Sequence, residues 1–265
     1  MIGHRMTYLL LAAGGLLIGG IGTLIGAGGG FLLMPVLVLL YPKEQPEVLA
    51  SISLAVVFFN ALSGSIGYAR QKKIAYSCGW LFVAAGIPGA IAGALITARI
   101  PRSVFDLWLG SLLVMVAVAL AIIGTLRPPS DGDGAPPRSR DIWGRGTALS
   151  FIVGFVSSLL GIGGGIIHVP GLVYLLRFPV HLAAGTSHFV LAFTAAAGTI
   201  VHITNGEFHA GYRRTAALAV GVIIGAQLGA HLSKVTPPGW ILRVLALALG
   251  LVGIRVVMQA IHASP

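Results

Sequence analysis

Two glycine-rich segments carry the chemistry that this sequence offers. The first contains Gly28, Gly29, Gly30 and Phe31, and the second contains Gly163, Gly164, Gly165 and Ile166. Three consecutive glycines inside an apolar stretch should break a helix and leave backbone N–H groups without intrahelical partners. The helix that restarts after each break then presents an N-terminus, whose dipole and free N–H groups favour an anion. We therefore predict that the two breaks form the walls of one anion-binding site.

Neutral polar residues near the breaks could supply further hydrogen-bond donors. Ser53 and Asn60 lie seven residues apart and so share one helix face, and Ser187 and Thr194 repeat this spacing. Hydroxyl and amide groups on a shared face suit the oxygens of an anion. The alternative is that these side chains only hydrogen-bond neighbouring helices, which is a common role of Ser, Thr and Asn in membranes.

Two histidines are candidates for a proton-linked role. His168 follows the second break and His188 follows Ser187, and an imidazole titrates near neutral pH. Each could carry a proton or contact the substrate, or could be a structural histidine held by hydrogen bonds. The sequence contains no HExxH or CxxC pattern, so we expect no metal site and no cofactor.

The acidic residues argue against several classes of protein. None of the seven lies in the middle of a predicted membrane segment; they are Glu44, Glu47, Asp106, Asp131, Asp133, Asp141 and Glu207. A cation carrier or a carboxylate proton relay ordinarily places Asp or Glu near the middle of the bilayer. The distribution also argues against a paired-carboxylate hydrolase. Because no nucleophile with a paired base or metal is visible either, we do not expect an enzyme.

The composition indicates a membrane protein. Hydrophobic residues make up 56% of the 265 residues, charged residues make up 9%, and the mean hydropathy is +0.94. We predict an all-α integral protein that crosses the cell membrane several times. The net charge of +10 arises from Lys and Arg in short loops between apolar runs. We therefore expect roles in membrane orientation and anion attraction, and no binding of nucleic acid.

The elements around the glycine breaks occur twice. A shift of 135 positions superposes Gly26 on Gly161 and Pro35 on Pro170. We predict two homologous halves, residues 1–126 and 147–265, joined by a mobile polar linker over residues 127–146. Each half should contain a glycine-broken helix pair followed by three spanning helices.

The breaks leave the topology of the halves open. If each broken pair is a hairpin, the halves are inverted, whereas a single bent crossing makes them parallel. We favour inverted repeats. Small residues four apart, at Gly89 and Gly93 and again at Gly225 and Gly229, predict close helix packing. That packing could lie within one chain or in a homo-oligomer.

With these motifs quoted, the chain resembles the sulfite exporter TauE/SafE family of bacterial and archaeal membrane permeases. The most specific likeness lies in Gly161-Ile162-Gly163-Gly164-Gly165 with Val169-Pro170, and in Ala184-Gly185-Thr186-Ser187. His188 stands where the family commonly has an aliphatic residue. The resemblance implies transport of sulfite, sulfonates or related sulfur-containing anions.

We therefore predict a secondary carrier for a small sulfur-containing oxyanion, such as sulfite or an organosulfonate. It would work by alternating access between the two halves, and coupling to protons is a hypothesis that the two histidines motivate. The segments Gly28 to Phe31 and Gly163 to Ile166 would bind the anion, with Ser53, Asn60, Thr186 and Ser187 as further donors. The alternatives are an anion channel and a membrane assembly or receptor protein that transports nothing.

Overall fold

The structure is a computed structural model that describes residues 2–123, 141–208, 211–233 and 238–262. The first half contains α1 (Ile2–Ile25), α2 (Gly30–Leu40), α3 (Pro46–Arg70), α4 (Tyr76–Thr97) and α5 (Arg102–Ile123). The second half contains α6 (Ile142–Leu160), α7 (Gly165–Leu175), α8 (Val180–Thr204), α9 (Tyr212–Leu232) and α10 (Pro238–His262). Helix α6 begins with a π-helical turn, Ile142–Gly146, and α7 ends with another, Gly171–Leu175.

The helices have the length and surface of membrane spans. Seven of the described helices are long and apolar enough to cross a bilayer. Large apolar side chains point outward along them, including Leu10, Leu17, Leu247 and Leu251, each more than 60% exposed. Such side chains are stable on an outer surface when lipid, not water, covers it. The protein is therefore an all-α, multi-pass membrane protein, as its composition predicts.

Both halves have the predicted order of elements. In each, a long helix leads to a glycine break, a short helix follows, and three long helices complete the half. The predicted linker at 127–146 lies outside the described residues from 127 to 140. Its last five residues, Ile142–Gly146, form the first turn of α6, so this helix begins before the predicted boundary at residue 147.

Local sequence explains where individual helices begin and end. Helix α3 begins at Pro46, a residue with no N–H to leave unbonded in the first turn. Glu47 in its first turn and Arg70 in its last turn complement the helix dipole. The chain then reverses at Lys72, whose φ of 56° lies in the left-handed region.

The long helices pair between the halves and not only within them. A methyl group added at Gly15 of α1 would lie 2.5 Å from the Leu218 carbonyl oxygen, and one at Gly19 would lie 2.6 Å from Val222 Cα. Because both sets of numbers rise together, α1 and α9 run in the same direction. Helices α4 and α6 form the equivalent parallel pair.

Equivalent helices of the two halves also pack against each other, in opposite directions. Gly64 of α3 approaches His188 of α8, while Leu54 approaches Gly198, so the residue numbers run oppositely. Helices α5 and α10 form a second antiparallel pair, in which Gly110 lies against Val257. The core therefore consists of interfaces that contain one helix from each half.

The small-residue stripes serve these internal interfaces. Gly89 and Gly93 of α4 lie directly on the backbone of α6, and Gly225 and Gly229 of α9 lie on the backbone of α1. Glycine permits this because it has no side chain to separate the helix backbones. Of the two interpretations that the sequence allows, the structure shows packing within one chain.

This packing predicts a stability defect for Gly225→Ala. The added methyl group would overlap the Leu16 carbonyl oxygen and force α1 away from α9, a change expected to cost about 1–3 kcal/mol. Thermal unfolding in detergent should show a lower midpoint with no change in elution volume. The matched control is Gly14→Ala, since no atom lies within 4 Å of the added methyl group. A changed elution volume with a normal midpoint would contradict this prediction.

Candidate functional site

The two glycine breaks form sharp elbows whose conformation depends on glycine. We define the first elbow as residues 26–29 and the second as residues 161–164. In the first, Gly26, Gly28 and Gly29 have φ values of 82°, 79° and 76°. In the second, Gly161 and Gly163 have φ values of 65° and 62°. Side chains disfavour this left-handed region, so glycine allows the chain to end one helix and start the next.

The elbows meet in the interior of the protein. A methyl group added at Gly30, where α2 begins, would lie 2.5 Å from the Ile162 carbonyl oxygen. A methyl group at Gly165, where α7 begins, would lie 2.6 Å from Ala27 Cα. Every residue in 26–31 and 161–166 is buried. The starts of the two short helices are therefore adjacent and shielded from the surroundings.

Helix α3 lines the second elbow. A methyl group added at Gly161 would lie 2.9 Å from Ala50 Cα, and one at Gly163 would lie 2.8 Å from a Val57 methyl group. Ser53 lies between these contacts on the same helix face. Its hydroxyl donates a 2.5 Å hydrogen bond to the Gly161 carbonyl oxygen. Ser53 therefore touches the second elbow, although its proton is already committed to the backbone.

Helix α8 lines the first elbow in the equivalent way. Gly26 lies against Ala184, and Gly28 lies against Leu191. Ser187 falls between these contacts on the same helix face, as Ser53 does on α3. Its hydroxyl is fully buried and has no hydrogen-bond partner in the part of the chain that the structure describes. This is the first difference between the two elbows.

A buried polar cluster stands beside the first elbow. The Thr23 hydroxyl donates to Asn60 Oδ1 at 3.2 Å, and His188 Nε2 lies 3.3 Å from the same hydroxyl. The Tyr68 hydroxyl donates to the Thr23 carbonyl oxygen at 2.8 Å, and its ring centroid is 5.5 Å from that of His188. Asn60 Nδ2 lies 3.4 Å from the position of a Cβ added at Gly29. We call the side chains of Thr23, Asn60, Tyr68 and His188 the Thr23 cluster. It brings the predicted donor Asn60 and the predicted histidine His188 together.

The other predicted residues lie in more ordinary surroundings. His168, at the start of α7, lies 3.2 Å from the Ser150 hydroxyl and packs edge-on to Phe82. The Thr186 hydroxyl accepts a 3.0 Å hydrogen bond from the Ala75 N–H and so ties α8 to the loop before α4. Thr194, which corresponds to Asn60, donates to carbonyl oxygens of its own helix.

Three residues of this region have no sequence motif to identify them. Thr23 and Tyr68 belong to the Thr23 cluster, and the Ser157 hydroxyl accepts a 2.6 Å hydrogen bond from the Gly164 N–H. Ser157 and Gly164 are seven residues apart. They meet only because the elbow turns the chain back toward α6. The repeat could have pointed to Thr23 and Ser157, because they occupy neighbouring positions in the two halves. Ser157 corresponds to Gly22, and Thr23 corresponds to Ser158.

Ser157→Ala should therefore destabilise the second elbow. The substitution leaves the buried Gly164 N–H without an acceptor, which costs about 1–3 kcal/mol. A lower unfolding midpoint in detergent would show this effect, and Ser77→Ala, at an exposed position, is the matched control. An unchanged midpoint would mean that the Gly164 N–H finds another acceptor.

Comparison with known proteins gives consistent results. Residues 11–256 match the family model described as "Sulfite exporter TauE/SafE". The chain is 29% identical to "Probable membrane transporter protein YunE" of Bacillus subtilis, over 97% of this chain and 99% of that protein. It is 26% identical to a protein of Methanocaldococcus jannaschii with the same description, over 92% and 93% of the two chains. No solved structure matches the chain significantly.

Proposed function

Because the chain belongs to the sulfite exporter TauE/SafE family and is a membrane transporter and not an enzyme, we propose that it carries a small sulfur-containing oxyanion. Sulfite is the substrate that the family description names, and organosulfonates are the related anions that the sequence resemblance implies. The observation that supports an anion most directly is the contact between two buried helix starts, at Gly30 and Gly165. A helix start supplies unpaired N–H groups and the positive end of the dipole.

The anion would lie between the two elbows. The backbone donors would come from Gly28, Gly29, Gly30 and Phe31 on one side and from Gly163, Gly164, Gly165 and Ile166 on the other. Ser53, Asn60, Thr186 and Ser187 would add side-chain donors. The Thr186 hydroxyl remains able to donate because its bond with Ala75 uses only a lone pair.

Movement of one half against the other would give the anion access to each side in turn. We propose that residues 1–126 and 147–265 move as the two units and that they are inverted repeats. The antiparallel packing of equivalent helices, α3 with α8 and α5 with α10, supports this arrangement. Burial of both elbows supports the need for movement, since neither is open to the surface.

Proton coupling is the further hypothesis, with His168 and His188 as the candidate carriers. His188 lies in the Thr23 cluster beside the first elbow, whereas His168 packs against Phe82 and Ser150. Coupling through His188 would place the proton next to the anion. Coupling through His168 would place it beside Ser150 and Phe82.

Transport of labelled sulfite into proteoliposomes tests this proposal. We expect saturable uptake, and acceleration by an imposed pH gradient if protons are coupled. Equal rates with and without the gradient would remove the coupling. Counterflow by unlabelled sulfite distinguishes a carrier from the alternative, an anion channel. If no sulfur oxyanion binds or moves, the substrate proposal fails.

A further inference from the structure

The two elbows have similar backbone conformations but offer different numbers of free hydrogen-bond donors. At the second elbow, the Gly164 N–H is bonded to Ser157 and the Ser53 hydroxyl is bonded to Gly161. Thr194, which corresponds to Asn60, bonds its own helix. Ser158 Oγ and His168 Nδ1 are the exceptions there, because these buried atoms have no partner in the described residues. The groups that correspond to the Gly29 N–H and the Ser187 hydroxyl are nevertheless satisfied within the second elbow.

At the first elbow, the equivalent groups are free. Gly22 stands where the second half has Ser157, so the Gly29 N–H has no acceptor within the described residues. Ser187 Oγ and Asn60 Nδ2 are buried and also unpartnered there. An unsatisfied buried polar group is unfavourable, so several in one place indicate a missing partner.

These free groups lie on helix faces that contact the first elbow. Asn60 Nδ2 lies beside Gly29, and Ser187 lies on the α8 face that contacts Gly26 and Gly28. His188 is next to Ser187 and is fixed through Nε2 by Thr23. The amide, hydroxyl and backbone groups are donors, which is the set that an oxyanion needs.

On this basis we propose that the anion is held on one side, by the first elbow and the Thr23 cluster, while the second elbow closes the site without binding the anion itself. This inference rests on the proposed function and narrows it. The unpartnered hydroxyl of Ser187 and the Nδ2 group of Asn60 contact the anion's oxygens, together with the Gly29 N–H. His188 selects among anions, since the equivalent position in the first half is Leu54.

The subsite also lies toward the end of α3 at which the cationic loop begins. Tyr68 of the Thr23 cluster lies two residues before Arg70, at the start of the loop that contains Lys72 and Lys73. These three cationic residues are exposed or partly exposed, and a cationic rim raises the local concentration of anions. Asn60 lies about 15 Å below Arg70 along α3, at 1.5 Å per residue.

Matched variants test the one-sided site by isothermal titration of purified protein with sulfite. Ser187→Ala and Asn60→Leu should each raise the dissociation constant about ten-fold, because each loses a hydrogen bond to a charged group. Thr194→Val is the control at the position equivalent to Asn60 and should leave the constant unchanged. Ser187→Ala should also leave the unfolding midpoint of the ligand-free protein unchanged, because the hydroxyl it removes has no partner. His188→Leu, which copies Leu54, should change the order of affinities for sulfite, sulfate and taurine.

The outcomes separate this inference from the proposed function. If the wild-type protein binds no sulfur oxyanion, the proposed function fails. If the wild type binds sulfite and Ser187→Ala and Asn60→Leu bind it equally well, the one-sided site fails and the transporter proposal stands. An equal loss of affinity in Thr194→Val would also overturn the one-sided site, because the position equivalent to Asn60 in the repeat would then contribute as much as Asn60 does.

Discussion

Gly30→Ala is expected to reduce sulfite transport by at least about ten-fold. The added methyl group would lie 2.5 Å from the Ile162 carbonyl oxygen and 2.7 Å from its carbon, which are backbone atoms of the second elbow. The backbone of either elbow can make room for the methyl group only by moving away from the other elbow. Overpacking of this kind costs about 1–3 kcal/mol. Since about 1.4 kcal/mol corresponds to a factor of ten in rate, the initial rate of uptake into proteoliposomes measures the effect.

The control for Gly30→Ala is Gly20→Ala in the preceding helix. A methyl group at Gly20 would lie 3.5 Å from the Gly225 carbonyl oxygen, which is an ordinary contact distance. This variant should transport at the wild-type rate when equal amounts of protein are reconstituted. If Gly30→Ala also transports normally, the close contact between the elbows does not contribute to transport.

Arg102→Ala is expected to cause the largest loss of stability. Arg102 Nε bonds the Asp106 carboxylate at 2.8 Å, and its Nη atoms bond the carbonyl oxygens of Val38 and Glu44. The side chain thus joins the C-terminal end of α2 to α5 and compensates a carboxylate that is only 4% exposed. Removal of one partner from a buried ion pair costs about 3–5 kcal/mol. The unfolding midpoint in detergent should fall sharply.

A second substitution distinguishes the charge effect from lost packing. Asp106→Asn in the Arg102→Ala background removes the uncompensated charge and should recover part of the lost stability. Arg99→Ala, at an exposed position in the loop before α5, should have little effect. If the double variant is as unstable as Arg102→Ala alone, the carbonyl contacts of Arg102 outweigh its ion pair.

The order of elements could be predicted because it depends on local composition. Three consecutive glycines in an apolar stretch break a helix, as at Gly28–Gly30 and Gly163–Gly165. Because the halves repeat, each element predicted in one half also predicted its equivalent in the other. The start of α6 was placed too late, since Ile142–Gly146 belongs to its first turn. Those residues follow a Pro-rich and Gly-rich linker, and composition gave no sharp boundary.

The asymmetry of the site could not be predicted in the same way. The repeat suggested equal elbows, yet Gly22 and Ser157 give the Gly29 and Gly164 N–H groups different surroundings. Which side chains are satisfied depends on contacts between α1, α3 and α8, and no local pattern specifies such contacts. The sequence did not identify Thr23 and Tyr68 as site residues for the same reason, since contacts between helices place them there.

The pairing of α1 with α9 has a consequence for biosynthesis. The glycine face of α1 is made long before its partner α9, which begins only at Tyr212. A nascent chain that ends before α9 leaves α1 without the helix that covers it, and the second half alone leaves α6 without α4. Neither half can therefore reach its native arrangement by itself, and insertion of this protein includes a late step in which α9 captures α1.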